Sequence, residues 1–156
     1  MRRQLGDRGV VIVGATSGIG RAVALQLAAA AAGGAGCAVA AGAGGSARGV
    51  RAEESWAIIV PLDVAGAASV EALADEADAW LEGIDTWINT AGVLVAGRLV
   101  DVPAEQIGRA VATNVIGMTL CSCAALARFE QRGSGVLINR SSVLVSSRTR
   151  MCPSTA

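Results

Sequence analysis

The sequence predicts an α/β layer fold built on a parallel sheet. Three observations predict it. Short, continuous apolar runs alternate with longer helical stretches along the chain. The runs are unbroken rather than alternating apolar with polar, as expected of strands covered on both faces. Glycine-rich segments such as 14–20 and 42–45 punctuate the joins.

The elements follow in order. Val10 to Val13 is an apolar run that ends at Gly14 and predicts the first strand. Gly18 to Ala32 reads as an Ala-rich helix stopped by Gly33 and Gly34. Cys37 to Ala41 predicts the second strand, closed by Gly42 to Gly45, and residues 46–56 read as a polar loop with a poorly defined helix. Ala57 to Leu62 predicts the third strand. Ser69 is placed to cap the next helix, with Val70, Leu73, Ala77 and Trp80 or Leu81 on one face. Thr86 to Asn89 predicts the fourth strand. Pro103 suits a first helical turn, and Ile107, Val111, Val115 and Met118 carry a helical stripe on towards Phe129. Gly133 to Gly135 form a turn before the fifth strand, Val136 to Asn139. Ser146 to Ala156 has no period and reads as a tail. The expected organisation is one domain over residues 1–145 and an irregular segment over 146–156.

Composition sets limits on chemistry. The 156 residues are 53% hydrophobic and 17% charged, which fits one globular domain. A chain of this size buries roughly two-thirds of its unfolded surface. Thirteen basic residues balance thirteen acidic ones, so the basic footprint of a nucleic-acid binder is missing. The sequence has no His, no Tyr and no Lys; every basic residue is Arg. These 156 residues therefore cannot by themselves complete Ser-His-Asp or Cys-His catalysis, a His-ligated metal site or a Schiff base. Cys37, Cys121, Cys123 and Cys152 lack the spacing of a redox or zinc motif and read as reduced thiols in a reducing compartment. The longest uncharged stretch, Ala22 to Ala47, is interrupted by glycines and is a poor membrane span. Asp7, Arg8 and Arg21 bracket the first apolar run too closely for a signal segment. The expectation is a cytoplasmic chain with no metal and no membrane partner.

One segment carries specific chemistry. Gly14-Ala15-Thr16-Ser17-Gly18-Ile19-Gly20 lies between the first strand and the first helix. A diphosphate placed there meets the unpaired backbone N–H groups of a helix N-terminus. Gly14 permits the tight turn, Gly18 lets the backbone approach a phosphate, and Gly20 allows close helix–strand packing. Four later features fall at strand ends or on the long helix: Asp63-Val64, Asn89-Thr90-Ala91-Gly92, Asn114 and Ser141-Ser142. Ligands of open α/β sheets bind at the carboxyl ends of strands, so these residues are expected to converge on one crevice. Each alone also has a purely structural explanation, as turn residue, strand-end cap, helix kink or turn hydroxyl.

This ordered set resembles the short-chain dehydrogenase/reductase family over about residues 9–145. GATSGIG is similar to the family's glycine motif, with Val13 where a Thr is usual. Asp63-Val64 is similar to its adenine-contacting pair, and NTAG at residues 89–92 to its Asn-Asn-Ala-Gly motif. Asn114 matches the helix Asn that holds a proton-relay water, and Ser142 the Ser that orients the substrate carbonyl. The resemblance implies a Rossmann-type doubly wound sheet that binds NAD or NADP. The implied cofactor contacts are Gly14, Thr16, Ser17, Gly18, Ile19, Gly20, Asp63, Val64, Asn89, Ala91 and Gly92. The implied catalytic residues are Asn114 and Ser142. The implied substrate is a small alcohol or carbonyl compound, and the implied assembly a homo-oligomer.

The departures from the family are as informative. Its general acid/base is the Tyr of a Tyr-x-x-x-Lys motif, and this sequence contains neither residue. Counted from Ser142, the Tyr falls near Thr155. The expectation is the N-terminal part of a family member, with the sheet ending after about the fifth strand. Such a chain is an inactive oxidoreductase by descent or a non-catalytic nucleotide-binding remnant or regulatory subunit. Arg140 stands where the family has a small or apolar residue, a charge expected in a buried strand. No acid ends the second strand to hold the ribose of NAD. Arg48 or Arg51 is available to the 2′-phosphate of NADP or is simply solvated; the balance falls to NADP.

Overall fold

In the computed structural model, residues 8–30, 37–42 and 57–141 are described. Five strands form one parallel sheet in the order β3-β2-β1-β4-β5. They are β1 (Val10–Val13), β2 (Cys37–Gly42), β3 (Ala57–Leu62), β4 (Thr86–Asn89) and β5 (Val136–Asn139). From β1 the chain winds outward to β2 and β3, then returns to place β4 on the other side of β1. Val10 pairs with both Cys37 and Thr86, and Val13 with both Ala40 and Asn89. The winding reverses between β1 and β4, and that reversal opens a crevice at the carboxyl edge.

β1 explains why the apolar runs are continuous. All four of its residues are buried, and they alternate between two cores. Val11 and Val13 face a core formed with Leu73 and Ala77 of α2 (Ala67–Leu81), Trp87 of β4, and Cys121, Ala125 and Phe129 of α4 (Met118–Arg132). Val10 and Ile12 face Ala15 and Ala24, with Val23 and Leu27 of α1 (Gly18–Ala30) packed alongside. Both faces of the sheet are therefore covered at β1, as a central parallel strand requires. Full burial of a Val or Ile is worth roughly 1.5–3 kcal/mol, so β1 is a main source of stability.

Three expectations change. Ser69 does not cap α2: the helix begins at Ala67, after Gly66, and Ser69 is inside its first turn. The chain enters the helix early because a turn closes on Asp63, whose Oδ1 accepts the Ala65 N–H and whose carbonyl accepts the Gly66 N–H. The Ser69 hydroxyl instead accepts the Asp63 N–H. Second, the long helix starts at Ala104, one residue after Pro103. It runs from α3 (Ala104–Val111) through a π-helical stretch, Ala112–Gly117, into α4. Third, the stripe of Ile107, Val111 and Val115 is exposed; the buried face is Gly117, Cys121, Ala124, Ala125 and Phe129. The π turn rotates the apolar face, so one helical period does not span both halves. By length and composition Ala104–Arg132 is apolar enough to cross a membrane, yet its C-terminal half packs into the core.

Arg128 ties α4 to α2 through Glu71 and Asp75, and Arg132 reaches Asp85 before β4 at 3.1 Å. Hydrogen bonds to the two carboxylates push the Arg128 guanidinium pKa up, against the opposing effect of its burial. The expected end of the first helix, the loop 46–56 with Arg48 and Arg51, Cys152, Ser142 and the tail 146–156 lie outside the described residues.

Candidate functional site

The crevice is a cleft of about 480 Å³ at the carboxyl edge of the sheet. Volumes of this order suit a small organic ligand. Its floor is the turn from β1 into α1. Gly14 has φ +88°, and a Cβ there would sit 2.5 Å from the Ala91 nitrogen. Only glycine permits both that conformation and that approach. Gly20 presses against the Gly14 carbonyl and the Thr90 hydroxyl, leaving no room for a side chain. Gly18 is different: its φ is +54° and a Cβ there would meet nothing within 4 Å. The backbone at the start of α1 thus faces open space, with the helix's first N–H groups at hand.

The walls are set by hydrogen bonds to the backbone. Thr90 donates from its hydroxyl to the Val13 carbonyl at 2.6 Å and from its N–H to the same oxygen at 2.9 Å. This joins the β4 loop to the end of β1. Asn114, in the π-helical stretch, clamps the same loop further on: its Oδ1 accepts the Val93 N–H at 2.9 Å and its Nδ2 donates to the Val93 carbonyl at 2.8 Å. A Cβ on Gly117 would lie 2.8 Å from a Val64 methyl, so the helix also abuts the β3 loop. Isolated π turns are frequent at functional sites, where they redirect backbone groups.

Ten of the predicted cofactor contacts line this one cleft: Gly14, Thr16, Ser17, Gly18, Ile19, Gly20, Asp63, Val64, Ala91 and Gly92. Asn89 does not. It is buried behind the cleft, where its Oδ1 accepts the Trp87 indole N–H at 2.8 Å and its Nδ2 donates to Asn139 Oδ1 at 2.8 Å and to Ser122 at 3.3 Å. Its side chain is committed to the sheet because Trp87 is wholly buried and needs an acceptor. Asn114 is not among the lining residues; its amide is occupied by Val93, which is. Ser142 lies outside the described residues.

Thr90, within the Asn-Thr-Ala-Gly run expected to converge here, lines the cleft too; Leu62, Val93, Thr113 and Arg140 also line it and were not among the expected contacts. Val93 and Thr113 adjoin the quoted motifs, which was their only signal. Arg140 is a correction as well. It follows β5 rather than lying within it, and its side chain is exposed instead of buried. Among the described residues no cluster of three or more metal-ligating side chains occurs.

Comparison with known proteins agrees with this geometry. Residues 8–153 match the family described as short chain dehydrogenase. The chain is 36% identical over 136 residues to "Probable oxidoreductase EphD" of Mycobacterium tuberculosis, covering 86% of this chain and 23% of that protein. It is 34% identical over 145 residues to cis-4-hydroxycyclohexanecarboxylate dehydrogenase of Sinomonas cyclohexanicum, covering 92% of this chain and 58% of that one. A short-chain type dehydrogenase/reductase from Mycobacterium marinum superposes with a TM-score of 0.76 at 33% identity, over 85% of this chain and 54% of the other. The chain spans less than two-thirds of the length of each of these proteins.

Proposed function

The chain belongs to the short chain dehydrogenase family of oxidoreductases, and from that premise we propose that its cleft binds a nicotinamide dinucleotide, NAD or NADP. The observation that carries the reading is the open, glycine-lined start of α1 beside Asp63, Val64, Ala91 and Gly92. In this reading the backbone N–H groups at Thr16 to Gly20 take the diphosphate. Asp63 and Val64 border the adenine, and Ala91 and Gly92 leave room for the ligand's centre. Asn114 acts by holding the Val93 loop, and Ser142 is the group that meets a substrate carbonyl. Asn89 supports the site from behind, through the sheet.

The bound cofactor supplies hydride chemistry between its nicotinamide and a small alcohol or carbonyl. The cis-4-hydroxycyclohexanecarboxylate relative is named for such an alcohol. The proton for that reaction has no donor of the family type in residues 1–156, since Tyr and Lys are absent. These residues alone therefore bind the dinucleotide without turning it over, as a non-catalytic nucleotide-binding unit does. The reading places the protein in the cytoplasm, where the cofactor is.

The test is calorimetric titration with NAD and NADP. Wild type binds, and Gly18→Trp, which fills the open space at the start of α1, abolishes binding while the thermal unfolding transition is retained. Equal affinity in that variant removes the glycine turn from the site.

A further inference from the structure

We infer that Arg140 gives the cleft an anion-binding arm, which takes a phosphate or carboxylate oxygen of a ligand held there. The inference rests on the nucleotide-binding reading and extends it to the far wall of the cleft. Asp63 and Arg140 are the charged side chains among the described residues that line the cleft. They follow β3 and β5, the two outer strands in the described order. Four strand spacings separate them, on the order of 19 Å, too far for the two to neutralise each other.

The arm has a fixed base and a free end. The Arg140 N–H donates to the Asn89 carbonyl at 3.0 Å, which continues the β4–β5 ladder beyond the Asn89–Asn139 pair. Asn139 is in turn held by the buried Asn89 amide. Arg98, Arg109, Arg128 and Arg132 each meet a carboxylate. Arg8, Arg21 and Arg140 meet none among the described residues, and of these three Arg140 lines the cleft. A guanidinium is a permanent charge whose fork matches the oxygens of carboxylate or phosphate.

Its place in the sheet limits what it reaches. β5 is two spacings from β1, about 10 Å, on the side away from β2. A diphosphate over the start of α1 has its adenosine half towards β2 and β3. Arg140 therefore reaches either the near phosphate or an acidic group on a second ligand lying over β4 and β5. Both present the same chemistry, an oxyanion at the open end of the cleft.

Calorimetry on the whole chain distinguishes the sources. Wild type, Arg140→Gln and Arg140→Lys are titrated with NAD, NADP and ADP-ribose. They are then titrated, saturated with NAD or NADP, with cyclohexanecarboxylate and with its uncharged carboxamide. A charge-assisted hydrogen bond predicts about a tenfold or greater loss in Arg140→Gln, with partial recovery in Arg140→Lys. Loss on ADP-ribose and both dinucleotides puts the arm on the diphosphate. Loss on the carboxylate alone, with the carboxamide unaffected, puts it on a second ligand. Both outcomes support the inference. Dinucleotide binding by wild type with unchanged affinities in Arg140→Gln for every probe overturns it and leaves the nucleotide reading standing. No dinucleotide binding by wild type overturns both.

Discussion

Asn89 shows how one residue type at one position can serve two readings. Its place in an Asn-Thr-Ala-Gly run at a strand end pointed to the cofactor, whereas its amide is spent on Trp87, Asn139 and Ser122. The sequence does contain the competing signal, since Trp87 precedes Asn89 by two residues and shares its face of β4. What it lacks is the information that Trp87 is fully buried there and needs an acceptor. Asn89→Ala leaves the indole N–H without its partner, and such a buried orphan costs about 1–3 kcal/mol. In a Trp87→Phe background much of that cost disappears, because no donor is left stranded. Urea unfolding of the two single variants and the double variant measures the coupling. Additive effects would mean that the Trp87–Asn89 bond contributes nothing of its own. Gly14, Gly18 and Gly20 were legible for the opposite reason. A positive φ or a backbone approach excludes other side chains, so the glycine spacing encodes the geometry directly.

At the scale of elements, the strands were legible and the long helix only partly. β1, β3, β4 and β5 occupy the predicted residues; β1, buried at all four positions, shows why a strand covered on both faces leaves an unmixed apolar run, whereas β5 is largely exposed. The helical stripe from Ile107 to Met118 was a true periodicity, but its first half faces outward and the π turn intervenes before the buried half. A one-residue change of winding has no compositional mark, so the sequence alone could not place it. The consequence can be read on α4, where Cys121 is buried and Cys123, two residues on, is exposed. Burial raises the Cys121 thiol pKa from 9.0 to about 11, since the thiolate is disfavoured away from water. A raised folded-state value means that this group's contribution to stability is whole below about pH 9. It is lost as pH climbs towards 11, where the unfolded chain releases the proton first. Iodoacetamide at pH 8.5 therefore alkylates Cys123 in the native protein and spares Cys121 until denaturant is added. Peptide mass mapping checks this, and equal labelling of both would place α4 in the wrong rotation.

For the whole molecule, sheet order and cleft follow from features that the sequence carries redundantly: alternating elements, a glycine turn after β1, and polar residues where strands end. Ten of the predicted contacts meet in one crevice because a parallel sheet delivers every strand end to the same edge. Arg140 is exposed rather than buried because β5 is the outer strand of the described sheet and is itself largely exposed, at Val136, Ile138 and Asn139. The same molecule also sets a limit on catalysis. Reducing a carbonyl requires a proton at the developing alkoxide, and a positioned general acid is worth about 10²- to 10⁴-fold in rate. Within residues 1–156 there is no Tyr, His or Lys to supply it. Asp63, the acid that lines the cleft, stands beyond β3, on the opposite flank from β5. The hydroxyls of Thr90 and Thr113 are too weak as acids to replace a tuned phenol, and so is that of Ser142. The expected outcome is dinucleotide binding with no turnover. Absorbance of the reduced nicotinamide is followed with NAD and NADP across a panel of alcohols, ketones and quinones, using the 156-residue chain. Turnover above the blank that vanishes in Ser142→Ala would show that another group delivers the proton. Reading its apparent pKa from the pH–rate profile would then separate a carboxylic acid from a water held by the loop that Asn114 clamps.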